Sequence, residues 1–124
     1  MMEMYFTKEH EWIKVEGATG KVGISEHAAH ELGDITFVEL PKPGKSVKQF
    51  EVLAAIESVK AASDIYSPVS GAVLSVNADL DTTPEMVNES SEEKAWIVEL
   101  EISDESELSK LMTRQQYDEY LKSL

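Results

Sequence analysis

The stretch IESVKAASDIYSPVSG, residues 56–71, decides the fold of this chain. Two extended segments of similar length and character, EVLAAIESV and ASDIYSPV, lie on either side of one lysine, Lys60. Both segments contain β-branched or aromatic residues, and the Ser-Pro pair at 67–68 turns the chain within the second. The pattern predicts a β-hairpin with Lys60 at its apex.

The side chains around Lys60 leave its amine accessible. The four nearest positions are occupied by small or compact residues, Ser58, Val59, Ala61 and Ala62. Glu57 and Asp64 place a charge on either side of this otherwise plain turn. A long, flexible amine on a rigid hairpin suits an enzyme that attaches a swinging cofactor to it. From these residues alone, an ordinary exposed turn lysine stays open as the alternative.

The remainder of the chain has a mostly β pattern. Strands are predicted at 11–16, 21–24, 34–40, 52–59, 71–78 and 95–102, and short helices at 25–32 and near 84–89. Ser25 offers an N-cap for the first helix, which Gly33 ends. Trp12 and Trp96 lie in alternating strands and are expected to anchor the core. Short strands separated by turn signals predict a sandwich or a flattened barrel.

The length of 124 residues fits a single domain, 1–124, that is large enough to bury a core without disulfides. Its C-terminal segment, about 104–124, is predicted to form two amphipathic helices, with Thr113 capping the second. The apolar positions expected to dock these helices on the sheet are Leu108, Leu111, Tyr117, Tyr120 and Leu121.

The composition excludes several classes of protein. Eleven basic residues against twenty-four acidic ones give a formal charge of −13, which argues against nucleic-acid binding. This charge solubilises the surface and can also steer the protein toward basic partners. The chain has no apolar stretch of membrane-spanning length and no recognisable targeting segment, so we expect a cytoplasmic protein. It also has no cysteine, which removes disulfides, thiolate metal sites and a cysteine nucleophile.

Other candidate sites in the sequence are weak. His27 and His30 lie three residues apart on a predicted helix, but no third ligand follows at a characteristic spacing, so solvated side chains are favoured over a metal site. No nucleophile elbow, glycine-rich phosphate loop or dinucleotide fingerprint occurs in the chain. The sequence therefore predicts no assembled active site.

Several motifs, in order along the chain, resemble those of glycine cleavage system H proteins. They are HEW at 10–12, VGIS at 22–25, LGDITFVELPKPG at 32–44, ESVKAASDIYSPVSG at 57–71, and VN at 76–77 followed by PEMVNE at 84–89. The resemblance runs from about Tyr5 to the end and implies a mainly β, lipoyl/biotinyl-carrier-like flattened β-sandwich, or barrel-sandwich hybrid, with short helices and a C-terminal helix. Biotin carriers usually have methionines around the modified lysine. Val59 and Ala61 take those places here, which favours lipoate.

The resemblance also implies a role and a set of partners. Lys60 would carry lipoate as an amide, and the arm would shuttle the aminomethyl group of glycine between enzymes. The implied partners are a pyridoxal-phosphate glycine decarboxylase, a tetrahydrofolate-dependent aminomethyltransferase, an FAD-containing dihydrolipoyl dehydrogenase, and a lipoate ligase or lipoyl transferase. The carrier itself would be non-catalytic and monomeric. Glu11 and Asp64 match residues that line a cleft for the loaded arm, with ordinary solvated acids as the alternative.

One segment departs from the family pattern. H proteins usually have a Pro-Tyr-Gly-x-Gly-Trp-like loop before the late tryptophan, whereas this chain has SSEEKAW at 90–96. Without glycine or proline, the segment is expected to extend as helix or strand. Two alternatives stay open: a relay or storage carrier that supplies lipoate to other dehydrogenase complexes, and a non-lipoylated interaction module of the same fold.

Overall fold

The computed structural model describes residues 3–124, which form ten β-strands, four α-helices and one 3-10 helix. In chain order the elements are β1 Glu3–Phe6, β2 Glu11–Glu16, β3 Thr19–Ile24, α1 Glu26–Leu32, β4 Ile35–Glu39, β5 Ser46–Val47, β6 Val52–Ser58, β7 Ala62–Tyr66, β8 Gly71–Val76, α2 Asp79–Thr82, α3 Met86–Ser90, β9 Val98–Ile102, the 3-10 helix Glu105–Lys110, β10 Met112–Thr113 and α4 Arg114–Lys122.

The strands form two antiparallel sheets. The large sheet has seven strands in the order β10-β1-β2-β3-β9-β8-β5, and the small sheet has three in the order β4-β6-β7. The sheets do not close on each other, and short helices fill the connections between strands. This arrangement confirms the predicted mainly β, flattened sandwich with a C-terminal helix. The single domain 1–124 stays a prediction, and its first two residues lie outside the described range.

The buried side chains form two clusters on opposite faces of β2. Ile13 belongs to the larger cluster, which lies between the sheets and includes Ile56 and Leu100. Trp12 points the other way and packs with Phe6 and Tyr117 in the smaller cluster. This alternation follows from the two-residue period of a strand. Each large apolar side chain contributes about 1.5–3 kcal/mol when fully buried.

The two tryptophans differ in burial. Trp12 is fully buried, and its indole N–H donates to the carbonyl oxygens of Ile24 at 2.8 Å and Ser91 at 3.0 Å. Trp96 is only half-buried and packs at the margin of the smaller cluster, with Lys21 Nζ 5.0 Å from its ring centroid. The prediction of a core anchor is therefore confirmed for Trp12 and wrong for Trp96, which precedes the strand β9.

The helix boundaries follow the capping signals in the sequence. The Ser25 side chain accepts a hydrogen bond from the Ala28 N–H, and Gly33, at φ +79°, ends α1. Thr113 and Gln116 form a capping box at the start of α4. The first half of the C-terminal segment is a 3-10 helix, whereas an amphipathic α-helix was predicted there. Three short elements, β1, β10 and α2, were not predicted at all, and the extended chain predicted at 47–50 forms only the two-residue strand β5.

Candidate cofactor-attachment site

Lys60 lies at the tip of the hairpin formed by β6 and β7, as the sequence predicts. The Ser58 side chain holds the turn, because its hydroxyl oxygen accepts hydrogen bonds from the N–H groups of Lys60 and Ala61, both at 3.1 Å. The Ser58 N–H donates to the Ala61 carbonyl oxygen at 2.8 Å and closes the turn. Serine hydroxyls commonly stabilise tight turns in this way. The lysine is thus displayed on an ordered support.

A second contact ties the hairpin tip to the body of the protein. The Val59 N–H donates to the Asp34 carbonyl oxygen at 3.0 Å, in the short connection between α1 and β4. The Lys60 side chain then passes over Gly33, where a Cβ atom would lie 3.1 Å from Lys60 Cε. Gly33 therefore serves two purposes: it adopts the left-handed backbone that ends α1, and it leaves room for the lysine.

The amine of Lys60 is available for modification. Lys60 is exposed, and the ion pairs among residues 3–124 involve other groups. Val59, beside it, is 67% exposed although it is apolar. An amine without an ion-pair partner loses no interaction when acylation removes its charge. The residues at the tip thus fit a group attached through an amide.

Asp64 lies on the outer face of the small sheet, near the hairpin tip. It lines a shallow groove of about 330 Å³ that also includes Ala62, two positions from Lys60. Phe37, 47% exposed, and the two acids Glu39 and Glu57 line the same groove. The groove therefore combines a partly apolar floor with three carboxylates.

Glu11 is buried rather than solvated, with only 2% of its surface exposed. One carboxylate oxygen accepts a hydrogen bond from the Thr7 hydroxyl, and the other accepts from the Tyr66 backbone N–H at 3.1 Å. Burial raises the pKa of Glu11 from 4.5 to about 7, even though these hydrogen bonds act in the opposite direction. Glu11 does not line the groove that contains Asp64. The sequence-based alternative of an ordinary solvated acid is wrong for this residue.

The two histidines at 27 and 30 line the same open pocket beside α1, with His30 exposed and His27 partly buried. The His27 ring lies 4.6 Å from the His10 ring and 3.9 Å from the Glu31 carboxylate. Within residues 3–124, no three histidine, aspartate or glutamate side chains converge as a possible metal-ligand set. His10 instead contacts the C-terminal helix, because its Nδ1 lies 2.8 Å from the Tyr117 hydroxyl. Burial and the neighbouring His27 lower the pKa of His10.

The departing segment SSEEKAW begins at Ser90, the last residue of α3, and then continues as a series of turns, not as an extended helix or strand. Glu92 explains this difference, since its carboxylate accepts from the Glu26 N–H at 2.8 Å and pairs with Arg114. Its carbonyl oxygen also accepts from Lys14 Nζ. The segment therefore joins the start of α1 to the start of α4. Sequence reasoning missed Glu92 because its partners lie far away along the chain.

The open two-sheet sandwich, with one lysine displayed at a hairpin tip, defines a cofactor-carrier domain. A family model described as Glycine cleavage H-protein matches residues 4–124, and the chain belongs to this family.

Two relatives and one solved structure agree with this membership. The chain is 51% identical to the glycine cleavage system H protein of Staphylococcus saprophyticus over 119 residues, 96% of this chain and 94% of that protein. It is also 51% identical to the H protein of Bacillus subtilis over 117 residues, 94% and 92% of the two chains. The crystal structure of the glycine cleavage system H protein from Mycobacterium marinum superposes with a TM-score of 0.88 at 28% identity, covering 97% of both chains.

The family assignment confirms the lipoyl-carrier role in the glycine cleavage system that the motifs implied. The departure at 90–96 does not remove the chain from the family, because the match extends across it. No helix within residues 3–124 is both long enough and apolar enough to cross a membrane.

Proposed function

We propose that Lys60 carries lipoate in amide linkage and presents it to the enzymes of glycine cleavage. The observation that carries this proposal is the placement of the Lys60 amine, exposed at a tight turn that Ser58 holds and that Val59 ties to Asp34. The turn is ordered while the four-carbon side chain stays free. A rigid base with a flexible arm allows one group to reach several separate active sites.

The residues of this chain support the cofactor rather than carry out the reaction. Lipoate, when bound, supplies a disulfide on a long arm that accepts and carries the one-carbon amine. Gly33 leaves space beside the attachment point, and Ser58 keeps the turn closed. The chain has no cysteine, so no thiol of its own can exchange with the carried disulfide. The carrier is thus a shuttled substrate without catalytic residues.

The partners proposed for the carrier are those that the chemistry requires. They are a pyridoxal-phosphate glycine decarboxylase, a tetrahydrofolate-dependent aminomethyltransferase, an FAD-containing dihydrolipoyl dehydrogenase, and a lipoate ligase or lipoyl transferase. A monomeric, single-domain protein of charge −13 in the cytoplasm would associate quickly with basic surfaces on these enzymes and dissociate from them readily. A lipoylated carrier that these enzymes do not accept would instead indicate the relay role.

Asp64 and Glu11 take different parts in the proposed site. Asp64 is exposed in the groove beside the hairpin tip, where its carboxylate can offset the positive charge of a carried amine. Glu11 acts from the protein interior. Its carboxylate accepts a hydrogen bond from the N–H of Tyr66, the last residue of the strand β7 that carries Asp64. We assign Asp64 to contact with the loaded arm and Glu11 to positioning of β7.

Modification of the purified protein tests the attachment site. The unmodified protein is incubated with lipoate, ATP and a lipoate ligase, and its intact mass is measured. We expect the parent to gain one lipoyl group, and the variant Lys60→Arg to gain none, because arginine keeps the charge without a reactive amine. Lys45→Arg is the matched control, since Lys45 is also exposed beside a turn. Undiminished addition to Lys60→Arg would overturn the assignment.

A further inference from the structure

The side chain of Asn88 uses both ends of its amide to hold one short segment. Asn88 lies in α3, and its Oδ1 accepts a hydrogen bond from the Ile35 N–H at 2.8 Å. Its Nδ2 donates to the Gly33 carbonyl oxygen, also at 2.8 Å. The two partners flank Asp34 in the connection between α1 and β4. One side chain thus bridges both peptide groups around a single residue, 53 to 55 positions earlier in the chain.

The bridged segment is also the one that holds the lysine hairpin. The Asp34 carbonyl oxygen accepts the hydrogen bond from the Val59 N–H at 3.0 Å, and Gly33 lies under the Lys60 side chain. A continuous series of contacts therefore runs from α3 through Asn88 to residues 33–35 and then to the hairpin tip. The links from Asn88 to residues 33–35 and from Asp34 to Val59 are hydrogen bonds, so hydrogen-bond direction aligns the tip beyond the point where the buried Ile35 pairs with Ser58.

The exposure of Asn88 separates its role from core stability. Asn88 is exposed, whereas the neighbouring Val87 is fully buried and fixes α3 to the body of the protein. An exposed asparagine whose amide makes two 2.8 Å bonds loses little apolar contact when it is replaced. Its replacement therefore frees the peptide groups on either side of Asp34, while the buried Ile35 and Val87 keep β4 and α3 in place.

We propose that Asn88 is a positioning residue for Lys60, which acts by aligning the Asp34 carbonyl oxygen with the Val59 N–H. This inference deepens the proposed function and rests on lipoate attachment at Lys60. The enzyme that attaches lipoate must bring one amine to one activated carboxyl group, and this step depends on how often the amine is correctly oriented. Asn88 keeps the hairpin tip in that orientation from a distance.

The test compares Asn88→Ala and Asn88→Asp with the control Asn77→Ala. Asn88→Asp keeps an acceptor for the Ile35 N–H but loses the donor to Gly33. The Asn77 side chain also donates to a backbone carbonyl oxygen, that of Lys94 at 3.0 Å, and it is more buried than Asn88. Asn77 lies after β8 in the large sheet, so Asn77→Ala perturbs the protein without touching residues 33–35. Amide hydrogen exchange at Val59 and the kinetics of lipoylation are then measured for all four proteins.

We expect Val59 exchange to accelerate by about three- to tenfold in both Asn88 variants and not in Asn77→Ala, as the loss of one hydrogen bond predicts. In lipoylation, kcat falls by a similar factor at unchanged KM, because the docked carrier presents its amine less often. A variant that only unfolds more would instead raise the apparent KM. Unchanged Val59 exchange in the Asn88 variants, or a loss confined to KM, would overturn the proposal. If the parent is not lipoylated, the attachment proposal fails, whereas the exchange measurement still decides the role of Asn88.

Discussion

The Glu11 carboxylate accepts a hydrogen bond from the Tyr66 N–H at 3.1 Å, although the two residues belong to different sheets. Tyr66 ends β7, an edge strand of the small sheet, and Glu11 begins β2 in the large one. A strand at a sheet edge presents unpaired N–H groups, which need another acceptor. Glu11 supplies that acceptor and joins the two sheets below the lysine hairpin.

The burial of Glu11 predicts a specific pH dependence. Its pKa is about 7 in the folded protein and 4.5 in the reference state, so folding favours the protonated form. The associated stability is fully present below pH 4.5 and is lost as the pH rises through 7. For the parent, we expect the free energy of unfolding to fall by about 2–3 kcal/mol across this window from this group. Glu11→Gln should flatten the dependence.

Urea unfolding at pH 5 and pH 8 measures this difference. Glu16→Gln is the control, because Glu16 is an exposed acid at the other end of β2 and is not among the groups that shift the pKa of Glu11. If Glu11→Gln shows the same pH dependence as Glu16→Gln and the parent, Glu11 is not the titrating group.

A second prediction contrasts the lysine with the core. Lys60→Ala removes an exposed side chain and should change the free energy of unfolding by no more than about 0.5 kcal/mol. Trp12→Ala should cost about 3–5 kcal/mol, because the ring is fully buried and lies against Gly23. Denaturant unfolding of both variants measures this, and equal losses would contradict an exposed hairpin tip.

A third prediction concerns Glu92, which pairs with Arg114 and accepts the Glu26 N–H at the start of α1. Glu92→Gln should cost about 1 kcal/mol of stability, since it loses a partly buried ion pair and a charge at a helix N-terminus. Glu93→Gln, at an exposed neighbouring position, should cost almost nothing. Thermal unfolding in low and high salt compares them, and equal losses for both variants would exclude the ion pair as the cause.

A fourth prediction concerns Asp64 and the loaded carrier. Asp64→Asn should leave lipoylation intact but increase formaldehyde release from the aminomethylated protein, because the carried amine loses a carboxylate partner. We expect a rate increase of about fivefold or more, from one charge-assisted hydrogen bond. Glu101→Gln controls for overall charge, since Glu101 is exposed in β9 of the large sheet. Equal release rates for the two variants would show that Asp64 is a solvated surface acid.

The parts of the fold that the sequence predicted depend on contacts between near neighbours. The hairpin around Lys60, the Ser25 cap and the Thr113 capping box each involve residues within a few positions of one another. Strand alternation likewise placed Trp12 and Ile13 on opposite faces. Such signals are local because backbone geometry sets them.

The parts that the sequence did not predict depend on distant partners. Glutamate is usually a surface residue, and nothing near Glu11 in the sequence indicates otherwise. Its burial is possible because Thr7 and Tyr66 donate hydrogen bonds to its carboxylate. Asn88 and Glu92 likewise act on segments more than 50 residues earlier in the chain. The two-residue strand β10 is too short to show a period, so its pairing with β1 has no sequence signal.

The pairing of β1 with β10 has a consequence for how the protein is made. Ribosomes synthesise β1 long before β10, so the large sheet gains the strand beside β1 only after all its other strands have been made. Until then the nascent chain has an open edge at β1, and Phe6 lacks Tyr117, whose ring stacks on it with centroids 4.3 Å apart. A chain that stops before Met112 cannot complete either contact. Closure of this edge of the large sheet therefore comes late in folding, after the strands that enclose the main core have been made.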